Sequence, residues 1–65
     1  MTVGEKIKKY RQLKGMTQRE LGVAVGFKEN AAVGRISQYE TDKVVPRGDG
    51  MALIASTILE IPGQY

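Results

Sequence analysis

Two short motifs constrain this chain more than anything else in it. Thr2-Val3-Gly4-Glu5 and Thr17-Gln18-Arg19-Glu20 each place a threonine three residues before a glutamate. That spacing lets the hydroxyl accept from the glutamate's N–H while the carboxylate accepts from the threonine's, which marks the first turn of a helix. Glycines at positions 15 and 26 supply matching stops. The spacing predicts helix 1 over Val3–Lys14, with Val3, Ile7 and Tyr10 on its apolar side, and a short helix 2 over Gln18–Val25, with Leu21, Ala24 and Val25 inward. Only Gly15 and Met16 separate helix 1 from the second cap.

Beyond Gly26 the signals are less regular. Phe27 is expected to anchor a turn through Lys28-Glu29-Asn30, with Asn30 as the cap of helix 3 over Ala31–Thr41. At 100° per residue, Ala32, Val33, Ile36, Tyr39 and Glu40 cluster on one side. Ala31, Gly34, Arg35, Gln38 and Thr41 lie on or beside the opposite side, with Ser37 at the edge. Asp42, Pro46, Gly48 and Gly50 predict a loop over Thr41–Gly50. Met51, Leu53, Ile54, Ile58 and Leu59 then predict a fourth helix, stopped at Pro62-Gly63. No stretch has the two-residue period of a strand, so the expectation is an all-α domain.

The chain has 65 residues, enough for one domain spanning 1–65. A domain this small buries only about 60% of the surface of its unfolded chain. It has no Cys and no His, so disulfides, Cys/His zinc sites and histidine acid–base chemistry are excluded. Ten Lys and Arg against seven Asp and Glu leave a net charge of +3, which permits contact with a polyanion without demanding it. The scattered carboxylates make no metal-ligand spacing and no catalytic pair, so neither an enzyme nor a cofactor or metal is expected. No apolar run approaches the ~20 residues of a membrane span, and charge comes too early at the N-terminus for a signal peptide. The expected location is the cytoplasm. Arg47-Gly48-Asp49 spells a cell-adhesion tripeptide, but a flexible loop accounts for it.

Helices 2 and 3 joined by a short turn satisfy the physical needs of a DNA reader. The first presents its N-terminus to a phosphate. The second enters a major groove about 12 Å wide, where Ala31, Ala32 and Gly34 leave room. Arg35 can bond guanine O6 and N7, and Gln38 adenine N6 and N7. Arg19, Lys28 and Lys43 are candidate phosphate contacts, whereas the Lys6–Lys14 cluster reads as the wet face of helix 1.

The segment GEKIKKYRQLKGMTQRELGVAVGF, then ISQYE at Ile36–Glu40 and Pro46, resembles the Xre-type helix-turn-helix domains, which include lambdoid phage repressor and Cro proteins. The resemblance spans about residues 3–62. Its spaced elements are Ile7, Arg11, Gly15, Thr17-Gln18, Leu21, Gly26, Ile36-Ser37, Glu40 and Pro46. It implies a compact four- to five-helix repressor-like fold with a central helix-turn-helix. The implied function is a prokaryotic or phage transcriptional regulator, a repressor bound as a homodimer to a palindromic site in the major groove of double-stranded DNA. An antitoxin or protein-interaction module on the same fold, with a protein partner, is the alternative; exposed apolar residues near Leu13, Met51, Ile61 and Tyr65 would serve it.

The resemblance also implies roles. Gln18 would touch a phosphate and brace the start of helix 3. Gly34, Arg35, Ser37 and Gln38 would face base edges, and Thr41 and Lys43 the far backbone. Arg11 and Glu40 would form a buried structural pair. The chain departs from the pattern in four places. The segment from Phe27 to Ile36 is longer by roughly one helical turn, through an earlier start of helix 3 or a longer turn, which makes Asn30 and Ala31 candidate readers. Asp42 stands where Gly is usual, and it tolerates the left-handed conformation better than most residues. Gly48-Asp49-Gly50 replaces a usually apolar start to helix 4. Gly22 replaces the usual Ala, at a cost of ~1 kcal/mol in helix propensity. The chain ends at Tyr65, before the fifth helix through which many relatives dimerise, as expected of a domain from a longer regulator.

Overall fold

Both threonine–glutamate boxes close in space. In the computed structural model, which describes residues 1–59, Thr2 Oγ1 accepts from Glu5 N at 3.1 Å and Glu5 Oε1 from Thr2 N at 2.8 Å. The Thr17–Glu20 box repeats this at 3.0 and 2.8 Å. They open α1 (Val3–Leu13) and α2 (Gln18–Ala24), which are followed by α3 (Glu29–Glu40) and α4 (Gly48–Ile58). Among the described residues there is no strand, and no helix is long and apolar enough to cross a membrane. Ile61, Tyr65 and the stop at Pro62-Gly63 lie outside the described residues.

Three helices end in the same hydrogen-bonded motif, in which a left-handed residue turns the chain and two N–H groups reach back to orphan carbonyls. In α1, Gly15 (φ 77) is the turning residue, with Gly15 N on Gln12 O and Met16 N on Arg11 O. In α2 it is Gly26 (φ 102), with Gly26 N on Val23 O at 3.1 Å and Phe27 N on Gly22 O at 2.9 Å. In α3 it is Asp42 (φ 63), with Asp42 N on Tyr39 O and Lys43 N on Gln38 O. Asp42 therefore keeps the stop where a glycine is usual.

The core takes Ile7 from α1, Leu21 from α2, Ile36 from α3, and Ile54 and Ile58 from α4. Tyr10, Met16, Val25, Phe27 and Tyr39 pack partly buried against it. The two isoleucines of α4 stand four residues apart, on the row that faces α1 and α2.

Several sequence expectations are corrected. Helix 3 starts earlier than Ala31: Lys28 is its cap residue, without a side-chain cap bond, and Asn30 lies inside the helix. Glu29 and Asn30, expected in a turn, are thus helical, and α2 and α3 are joined by Val25–Lys28 alone. Val33, expected inward, is 42% exposed. The buried stripe of α3 is Ala32, Ile36 and Glu40, and Val33 and Tyr39 lie about 60° to either side of it. Phe27 packs on the Tyr39 side, leaving the Val33 side open. Ala24 is also exposed, and Val3, Leu53 and Leu59 are substantially so. The loop expected to reach Gly50 ends at Arg47, because α4 begins with Gly48-Asp49-Gly50. First-turn N–H groups have no intrahelical partner anyway, and Asp49 there complements the helix dipole.

Gly22 receives a different explanation from its propensity cost. A Cβ there would stand 2.5 Å from Ala32 Cβ and 2.7 Å from Ala32 Cα. Glycine lets the α2 backbone lie directly on α3.

Candidate nucleic-acid interface

The helix pair α2–α3 is held from beneath by one buried polar cluster. Arg11 and Glu40 are each only 8% exposed. Arg11 Nε donates to Glu40 Oε2 and Nη2 to Oε1 at 3.2 Å, a two-pronged pair linking α1 to the last turn of α3. Arg11 Nη1 donates to the Met16 carbonyl at 2.8 Å. Gln18 Nε2 donates to Glu40 Oε1 at 3.0 Å. Among the described residues, no buried side-chain polar atom lacks a partner. Such a pair adds little net stability when complete, but removing one member strands the other charge.

The Gln18 bond changes its expected bracing role. Gln18 supports the C-terminal end of α3 through Glu40, not its start. Its amide has a second N–H, which leaves one donor for a ligand.

The outward side of α3 collects most of the expected readers. Asn30, Gly34, Arg35 and Gln38 are exposed, and Ala31 and Ser37 half-buried at the margins. Nothing lies within 4 Å of where a Gly34 Cβ would be, so this stretch of the surface is open. Thr41 is exposed but its hydroxyl is engaged, donating to the Ser37 carbonyl at 2.8 Å. Lys28 and Lys43 are exposed at the two ends of α3. Arg19 stands apart from this face, beside Glu29 at 3.7 Å across the α2–α3 turn. Both of these side chains are largely solvated, so the pair is weak and can be exchanged for another anion.

Two arrangements were not visible in the pattern of residues. Asp42 does more than end α3: its Oδ2 accepts from Thr2 Oγ1 at 2.7 Å and its Oδ1 from Gly4 N at 3.0 Å. The loop after α3 thereby caps the start of α1. An acidic residue at a left-handed stop is the trace it leaves in the sequence, but its partners are some forty positions away. Second, Arg35 lies over the face of Phe27, with Cζ 6.0 Å from the ring centroid. The Thr2 backbone N–H, which donates to the Glu5 carboxylate, holds Glu5 below the usual glutamate value.

Taken together, the site is an exposed, polar and partly basic helix face on a rigid support, with donors suited to phosphates and base edges. Compared with protein-family models, with curated proteins and with solved structures, the chain matches none.

Proposed function

We propose that the chain is a sequence-specific DNA-binding regulator of transcription, a repressor of prokaryotic or phage type that acts in the cytoplasm as a homodimer on a palindromic operator. The observation that carries this reading is the face of α3. Opposite the buried stripe of Ala32, Ile36 and Glu40, it presents Asn30, Gly34, Arg35 and Gln38 to solvent, with lysines at both ends. Arg35 and Gln38 are the base readers, suited to guanine and adenine. Gln18, Arg19, Lys28, Thr41 and Lys43 fix the register on phosphates, and Asn30, Ala31, Gly34 and Ser37 complete the contact. A dimer would place two copies of α3 about 10 bp apart.

Selection of bound sequences from a random DNA pool, repeated across salt concentrations, tests the reading. A palindromic consensus is expected. Gln38→Ala should lower preference at one base position by about 1–3 kcal/mol. Lys43→Ala should weaken all sequences alike and reduce the salt slope by about 1. Equal loss on every sequence for Gln38→Ala would remove it as a reader.

The alternative reading, an antitoxin or protein-interaction module, draws on a different part of the surface. Leu13 is 71% exposed, and an apolar groove of about 170 Å³ runs between α1 and α4, lined by Val3, Ile7, Tyr10, Met51, Ile54 and Ile58 among others. Absence of any enrichment over bulk DNA would favour it.

A further inference from the structure

We infer that Phe27 is a positioning residue for Arg35, and that its ring sets the base preference Arg35 confers. This rests on the DNA-reading function proposed above. Arg35 Cζ lies 6.0 Å from the Phe27 ring centroid, where the negative face of the ring attracts the guanidinium. The ring itself packs partly buried against the core. Phe27 N donates to Gly22 O at 2.9 Å, the closing bond of the α2 terminus. Its other neighbour is Tyr39, at 6.2 Å between centroids and tilted by 43°.

Arg35 and Tyr39 stand four residues apart on one row of α3. Tyr39, Phe27 and Arg35 therefore form a ladder from the edge of the core to the rim of the reading face. Among the described residues Arg35 forms no ion pair, so the ring is the group that orients it.

The consequence is preorganisation. A long, solvated arginine must give up rotamer freedom to meet a guanine edge in a planar, two-pronged geometry. One already held over a ring that packs against the core has given up part of that freedom in the free protein. The ring also limits which base step the guanidinium can reach, since it anchors the side chain to the flank of α3. A lysine at position 35 would keep the charge and lose the planar, two-pronged donor geometry.

The test uses the full chain. Selection with the parent protein and with Arg35→Ala first identifies the base position that Arg35 governs. Phe27→Leu, which keeps an apolar group against the core, should then lower discrimination at that position by about two- to fivefold and leave the others unchanged. Phe27→Tyr, which keeps the ring, should restore it. Independently of any variant's folding, the Arg35 Cδ protons of the free parent protein should resonate upfield of ordinary arginine values if the guanidinium is held over the ring face. Unshifted Arg35 protons would overturn the inference, as would a folded Phe27→Leu protein with unchanged preference at that position. If the parent protein enriches no sequence while the Arg35 protons are shifted, the contact with the ring exists but the DNA-reading function fails, and the positioning role with it.

Discussion

Gly22→Ala separates two lines of reasoning that predict opposite signs. Intrinsic propensity says that alanine should stabilise α2 by about 0.8–1 kcal/mol over glycine. Packing says otherwise. The new Cβ would meet Ala32 Cβ at 2.5 Å, Ala32 Cα at 2.7 Å and Ala32 O at 2.9 Å. Two of those three atoms are backbone, so no rotamer change relieves the overlap, and α2 must move away from α3. Overpacking of this kind costs about 1–3 kcal/mol, occasionally more. The propensity gain offsets part of that, leaving a net loss of up to about 2 kcal/mol. For a domain of this size each kcal/mol moves Tm by about 4–8 °C. Thermal and urea unfolding followed by circular dichroism at 222 nm would measure it. Gly34→Ala is the matched control: it is also mid-helix and has nothing within 4 Å of its new Cβ, so it should gain about 1 kcal/mol from propensity alone. A Gly22→Ala protein as stable as Gly34→Ala would refute the close approach of α2 to α3.

Glu40→Ala should cost about 3–5 kcal/mol, because the Arg11 guanidinium would stay buried without its carboxylate; loss of most cooperative unfolding is expected, and a Tm within a few degrees of the parent would contradict the pair. Replacing both partners by apolar residues, as in Arg11→Met with Glu40→Leu, should recover much of that loss. Glu5 should titrate below an ordinary glutamate, since Thr2 bonds favour its charged form. Its stabilising effect is therefore present above the unfolded pKa and lost as pH falls through the lower folded value; Thr2→Ala keeps the backbone N–H that lowers it, so the carboxyl midpoint, read by NMR, should stay below the ordinary value. Asp42→Gly should keep the stop of α3 yet fray the start of α1, seen as faster amide exchange at Gly4, because it removes the acceptor for Thr2 and Gly4.

What the sequence determined by itself is the punctuation of the first half. The Thr2–Glu5 and Thr17–Glu20 boxes and the stops at Gly15 and Gly26 are local chemistry, complete within a few residues, so spacing alone reveals them. The outward positions of Gly34, Arg35 and Gln38 follow likewise from helical period once Ile36 is inward. Other features were decided only by the tertiary structure. Asn30 yielded its expected capping position because α3 continues back to Glu29. Gly48-Asp49-Gly50, a run of turn formers, became the first turn of α4. Gln18, Asp42 and Phe27 found partners whose distance depends on how the helices cross. The pairing of Arg11 with Glu40 cannot be read from spacing, since nothing local marks a bond between residues 29 positions apart. Gly22 shows the division most clearly: read alone it is a weak point in a helix, and read against Ala32 it is what lets α2 and α3 touch. Hydrogen bonds within one turn are written in the order of residues, whereas contacts between helices exist only after the chain has packed.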